Sequence, residues 1–183
     1  MASSWNEPLR PGKEGLIAFK VKGDSMVPIL HPGDIVHVDP GPGISYRVGD
    51  VVLIFRKEEL ITHRLLYKVV EGWYTKGDNR LDLDPVVNEQ SMIGKVVVLE
   101  KAGKRIDLQK PFWRSANRVM GSLHWLFVLC FDKIRLFASW SRLNRYPLFK
   151  RCGRKTMLII QKAISVTILF SGRVLAIFDR RGG

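Results

Sequence analysis

Residues 49–76 read GDVVLIFRKEELITHRLLYKVVEGWYTK, and this stretch contains three candidate strands in succession. Residues 51–55 follow the turn signal Gly49-Asp50 as a short apolar run rich in β-formers, and residues 60–70 and 72–76 continue the series. Working outward, residues 16–22 begin apolar and then alternate, which suits a strand with one buried face, with a turn expected at Gly23-Asp24. Residues 35–38 lie between Pro32-Gly33-Asp34 and Pro40-Gly41-Pro42-Gly43. Downstream, a strand over 94–100 turns through Ala102-Gly103-Lys104 into 105–108. Short strands at such regular spacing predict a mainly β domain over residues 16–109.

After Pro111 the punctuation disappears. Residues 114–140 and 156–178 mix apolar positions with Lys and Arg, and Leu158, Ile159, Ala163, Val166, Phe170, Val174 and Ile177 fall roughly at helical spacing. Charge divides the chain at the same place. Residues 1–109 hold 15 Lys+Arg and 15 Asp+Glu, whereas residues 110–183 hold 15 Lys+Arg against only Asp132 and Asp179, so the tail carries the whole net charge of +13. The expected organisation is a polar segment over 1–15, a β-rich body over 16–109 and a basic amphipathic helical region over 110–183. The neutral body, with its own strand pattern, is expected to fold and function without the tail.

At 183 residues, with 46% hydrophobic and 26% charged residues, the chain suits one folded domain and an appendage rather than a disordered protein. Cys130 and Cys152 have no His or Cys at ligand spacing, so neither a metal nor another cofactor is expected. The first 15 residues contain Pro8 and Pro11 and no apolar core, so no signal peptide or anchor is expected there. Asp132, Lys133 and Arg135 interrupt one tail helix, and Gln161, Lys162 and Arg173 the other, which predicts interfacial rather than spanning helices.

The residues able to do chemistry cluster in the body. Gly23-Asp24-Ser25-Met26-Val27-Pro28 sets a serine at a glycine-led turn after a strand, where its hydroxyl can be exposed and backbone N–H groups can face a developing oxyanion. Thr62-His63-Arg64 supplies an imidazole that can take the serine proton and return it to a leaving amine. Thr75-Lys76-Gly77-Asp78-Asn79 and Asp82-Leu83-Asp84-Pro85 supply two carboxylates, Asp78 and Asp84, either of which could orient that histidine. Asp78 sits in a turn where it could instead accept local backbone N–H bonds. Lys68 and Lys76 are the alternative bases, and His31, His37 and His124 are expected to be structural.

In this order and spacing the blocks resemble the signal peptidase I family and its clan-mates, the LexA-type self-cleaving repressors, over roughly residues 18–100. Gly23-Asp24-Ser25-Met26-Val27-Pro28 resembles the Ser-Met-x-Pro nucleophile block, Pro32-Gly33-Asp34 the following turn, and Gly77-Asp78-Asn79 the Gly-Asp block. Where the bacterial enzymes and the repressors use a lysine base, Thr62-His63-Arg64 resembles the archaeal and endoplasmic-reticulum branch with histidine. The resemblance implies a β catalytic domain, Ser25 as nucleophile, His63 as base, and Asp84 as the acid with Asp78 in support. Gly23 stands where many signal peptidases carry a hydroxyl donor, which leaves the oxyanion to backbone N–H groups including that of Ser25.

The implied function is hydrolysis of a peptide bond in a signal or leader peptide, with a peptide or preprotein as substrate. A non-catalytic or self-processing membrane-associated protein of the same fold is the alternative. A self-cleaving repressor would require a DNA-binding unit ahead of Ser25, for which 24 residues are few. For the tail, cations together with Trp113, Trp125, Trp140 and runs such as 126–129 and 158–160 suit an anionic membrane surface better than nucleic acid.

Overall fold

The computed structural model describes residues 15–41, 43–140, 158–160, 162–163 and 166–167, with residues 131–140 described through their backbone. The expected polar segment, Cys152 and most of the helix over 156–178 lie outside these residues. Helical backbone is present at 158–160, 162–163 and 166–167.

The expectation of a mainly β domain is met. Strands β1 (Ile17–Lys20), β2 (Ile35–Asp39), β3 (Val51–Arg56), β4 (Glu59–Val69), β5 (Gly72–Lys76), β6 (Met92–Lys101) and β7 (Lys104–Asp107) form one antiparallel sheet. Its order is β1-β2-β6-β3-β4-β5, with β7 paired to β6. The long β6 joins the two halves, because it bonds β2 along one edge and both β3 and β7 along the other.

The apolar run at 51–54 is continuous because β3 is buried on both faces. Val51 and Leu53 enter a core with Phe19, Met26, Leu30, Val36, Val38, Val96 and Leu99, whereas Val52 and Ile54 face a second cluster with Leu65, Trp73, Val87 and Met92. Opposite faces of one strand thus feed two cores, as period-2 geometry requires. The β3–β4 hairpin turns at Lys57 and Glu58, both in the left-handed region at φ 49° and 63°. Two-residue hairpin turns favour that conformation for its twist, although Asn and Gly are its usual occupants.

Helix α1 (Pro111–Trp140) starts with proline at its first position, where the missing N–H costs nothing. Trp113, Asn117, Met120, His124 and Val128 recur on one stripe, and Met120, His124 and Val128 are buried. Met120 and Trp113 join the β3-centred core. Trp125 stacks on Tyr67 of β4 at 4.9 Å and on Tyr74 of β5 at 6.0 Å. The helix comes close because two glycines meet: a Cβ on Gly121 would lie 2.6 Å from the Gly49 Cα, and one on Gly49 would lie 2.1 Å from the Asn117 carbonyl oxygen. The change from β to α falls where the sequence places it, but the first half of α1 completes the core of the body.

Candidate active site

Ser25 follows β1 in a tight segment closed by Val27 N–H to the Asp24 carbonyl at 3.1 Å, and the next residue, Met26, is rooted in the core. Burying Met26 fixes the backbone while Ser25 stays half-exposed. His63 enters from β4, paired with Val52 of β3, and its ring is nearly buried. Ser25 Oγ lies 3.2 Å from His63 Nε2, and His63 Nδ1 lies 2.5 Å from Asp84 Oδ2. A carboxylate facing Nδ1 holds a proton on that nitrogen, leaving Nε2 to accept from the serine hydroxyl.

Asp84 is itself held. Its N–H donates to the Thr75 carbonyl at 2.9 Å, Thr75 Oγ1 donates to Oδ2 at 2.7 Å, and Arg56 Nη1 stands 3.7 Å from Oδ1. Partial burial would raise its carboxyl pKa, but the bonds from His63 and Thr75 and the Arg56 charge outweigh burial and lower it. Asp84 is therefore ionised wherever histidine can act as a base. Thr75 lies within a block singled out by sequence, but Arg56 carried no motif signal.

Asp78 faces elsewhere. Its two oxygens accept from Arg64 Nε at 2.9 Å and Nη2 at 2.8 Å, with both side chains fully buried. Local backbone bonds had been the simpler expectation for a Gly-Asp-Asn turn, but the buried guanidinium of a neighbouring strand is the stronger partner. Burial alone would raise the Asp78 pKa, and Arg64 overrides it and holds the carboxyl well below the carboxylate range. Arg64 Nη1 also donates to the Gly49 carbonyl at 2.6 Å and to Asn117 Oδ1 of α1 at 3.0 Å. His124 of α1 brings Nδ1 to 3.3 Å from Asp78 Oδ1, close but outside hydrogen-bond geometry, and among the described residues neither of its buried ring nitrogens has a hydrogen-bond partner. Burial lowers the His124 pKa despite Asp78, which favours the neutral ring.

The turn after β5 stitches the parts together. Asn79 N–H donates to the Ser25 carbonyl at 2.7 Å, and Asn79 Nδ2 to that of Asp24 at 3.1 Å. Gly77 is wedged between the two reactive side chains, since a Cβ there would meet the Ser25 carbonyl oxygen at 2.6 Å and His63 Nε2 at 3.0 Å. Lys76 is buried and turns Nζ to the carbonyls of Arg80 at 2.6 Å and Gly77 at 3.3 Å. Burial lowers its pKa to about 8, opposed by Asp78. Lys68, the other alternative base, is exposed and pairs with Glu89. Of the remaining histidines, His31 Nδ1 contacts Lys101 Nζ at 2.6 Å and His37 faces Glu100 at 3.4 Å.

A cleft of about 590 Å³ opens at Ser25 and His63. Phe19, Met26, Val36 and Leu53 give it apolar lining, and Lys20, Lys22, Glu58 and Glu59 also line it. Two strand edges flank it. Among the described residues, β1 pairs only with β2, and β4 pairs with β5 only from Arg64 onward, so residues 59–62 have no second strand partner there. Among the described residues, no group of His, Cys, Asp and Glu could hold a metal ion.

Nothing matches this chain among curated proteins or solved structures. The Peptidase S24-like family model, however, matches residues 2–97, a span that contains Ser25, His63, Asp78 and Asp84. With more than half its length matched, and a serine, a histidine and a carboxylate in line beside a cleft, the chain belongs to the Peptidase S24-like family.

Proposed function

We propose that the protein is a serine endopeptidase that cleaves an extended leader or signal peptide at a membrane surface. The observation carrying this reading is the line from Ser25 Oγ to His63 Nε2 and from His63 Nδ1 to Asp84, at one end of the cleft. Family membership supports serine-peptidase chemistry, and the histidine base favours the branch that resembles archaeal and endoplasmic-reticulum signal peptidases.

The chemistry follows from the geometry. Ser25 Oγ attacks the scissile carbonyl as His63 Nε2 takes its proton, with Asp84 stabilising the imidazolium. The Ser25 N–H, beside the attacked carbon, serves the oxyanion. His63 then protonates the leaving amine, and the acyl-serine ester is hydrolysed by a water that His63 deprotonates. An extended substrate would add main-chain bonds along β1 and residues 59–62, as strand addition to open edges does. The resemblance to signal peptidases favours short side chains near the scissile bond.

The membrane component draws on exposed Val119, Leu126 and Leu129 of α1 and on Ile159, Ile160 and Val166, combined with the basic tail. Among the described residues no helix is long and apolar enough to cross a bilayer, so the proposal is surface binding. The family's breadth also favours self-processing as a second reading. Both are tested by mapping new protein N-termini in cells carrying the wild type or Ser25→Ala. Termini in other proteins that vanish with Ser25→Ala support the peptidase acting in trans. A Ser25-dependent terminus confined to this chain supports self-processing, and identical sets of termini contradict both readings.

A further inference from the structure

We propose that His124, assisted by Asn117, is a positioning residue of the catalytic centre, through which helix α1 sets the placement of Ser25 against His63. The proposal rests on the reading of Ser25, His63 and Asp84 as catalytic, and it adds a part of the chain outside the matched residues 2–97.

The connection runs through short contacts. His124 Nδ1 faces Asp78 Oδ1 at 3.3 Å, and Asn117 Oδ1 accepts from Arg64 at 3.0 Å. Asp78 and Arg64 grip one another through two bonds, so α1 holds both members of a fully buried pair. Arg64 adjoins His63 on β4. Asp78 adjoins Gly77, which touches both Ser25 and His63, and Asn79, which bonds the Ser25 carbonyl. A shift of Asp78 moves that turn, and no slack remains at Gly77 to absorb it. Misplacement of reacting groups by about 1 Å costs on the order of 100-fold in rate.

His124 is also a poor choice for packing alone. Among the described residues both ring nitrogens are buried without a hydrogen-bond partner, a condition that costs about 1–3 kcal/mol for each. An apolar side chain would avoid that penalty on a stripe already containing Met120 and Val128. What the imidazole supplies is a polar Nδ1 placed 3.3 Å from Asp78 Oδ1, close enough to act on that carboxylate electrostatically. A neutral ring facing a carboxylate carries its proton on that nitrogen.

This chemistry sets the test. Asn reproduces the donor near Nδ1, whereas Gln fills more space but offers its donor near Nε2. In full-length protein, His124→Leu and His124→Gln are expected to lower kcat about 10- to 100-fold with KM within about twofold, while His124→Asn recovers most of kcat. Ring 15N resonances of His63 should shift in the Leu and Gln variants and stay near wild type in Asn. Full kcat in His124→Leu, or a better Gln than Asn variant, overturns the proposal. Should His124→Leu not fold, Asn117→Ala at a half-buried position carries the same expectation of reduced kcat at unchanged KM, and unchanged kcat there overturns it. Absence of Ser25-dependent turnover in the wild type would instead count against the functional reading, and the His63 resonances would still decide the coupling.

Discussion

Asp84 accepts from His63 and Thr75 through one oxygen and faces Arg56 with the other, whereas both oxygens of Asp78 are sealed against Arg64. The two carboxylates should therefore fail differently. Asp84→Asn is expected to lower turnover about 10²- to 10⁴-fold with little change in melting temperature, because an amide fills the space but cannot stabilise the imidazolium. Asp78→Asn leaves a guanidinium buried without its counter-charge, at a cost of about 3–5 kcal/mol, and activity should fall with stability. Melting curves and turnover of the two variants distinguish them, and a purely kinetic effect at Asp78 would reverse the roles. Since the folded-state pKa of Asp78 is depressed, its contribution is complete above the unfolded aspartate value of about 3.9 and disappears as pH falls through the folded value. Wild type should thus lose stability below about pH 4 more steeply than Asp78→Asn. At the other end, Lys76, its pKa lowered to about 8 by burial, there loses the charge that strengthens its bonds to the Gly77 and Arg80 carbonyls. Turnover should decline through that pH in wild type, and Lys76→Met should be less active but lack the decline. The grouping of Ser25, His63 and Asp84 was legible because taking a proton from a hydroxyl calls for those residue types, although His63 lies within β4 and not at its end. The partner of Asp78 was not, since nothing local reveals that a neighbouring strand buries an arginine beside it.

All seven strands follow the punctuation of the sequence closely, because Gly, Pro and Asp mark most of their ends and β3 announces its double burial as an unbroken apolar run. The β3–β4 hairpin was harder to delimit, since Lys57 and Glu58 take left-handed conformations usually signalled by Asn-Gly. Helix α1 was legible as a helix, but not its seat, because amphipathic spacing shows that a face exists without saying what it meets. Met120, His124 and Trp125 turn toward the sheet, while Val119, Leu126 and Leu129 of the same helix stay exposed. Gly121 decides how closely they approach. Alanine is the better helix former by about 1 kcal/mol, yet Gly121→Ala would drive a methyl group into Gly49. It is therefore expected to lower the melting temperature and reduce Tyr67–Trp125 stacking, readable by near-ultraviolet circular dichroism. A stabilised Gly121→Ala protein would show that the helix is loosely seated.

Among the described residues, the sheet and its loops carry Ser25, His63 and Asp84, and helix α1 closes over their buried supports. The charge division at residue 109 suggested a body able to work alone, but Trp113, Asn117, Met120 and His124 reach back across that boundary. A chain ending at residue 109 should consequently lose cooperative unfolding and peptidase activity, whereas one ending at residue 140 should retain both. Comparable melting and turnover for the two truncations would restore the self-contained body expected from charge and strand pattern. Vesicle binding belongs to a separate comparison, in which the chain ending at 140 should bind anionic vesicles less well than the full chain because it lacks most of the tail's cations. The linked Ser25, His63 and Asp84 side chains are most directly tested by turnover of extended peptides with small residues before the scissile bond, using full-length wild type, Ser25→Ala, His63→Ala and the double variant. Each single substitution should reduce kcat by about 10³-fold or more, with the double variant scarcely lower, since either change disables the same unit. Full activity in Ser25→Ala, or independent multiplicative losses from the two substitutions, would contradict a serine nucleophile activated by His63.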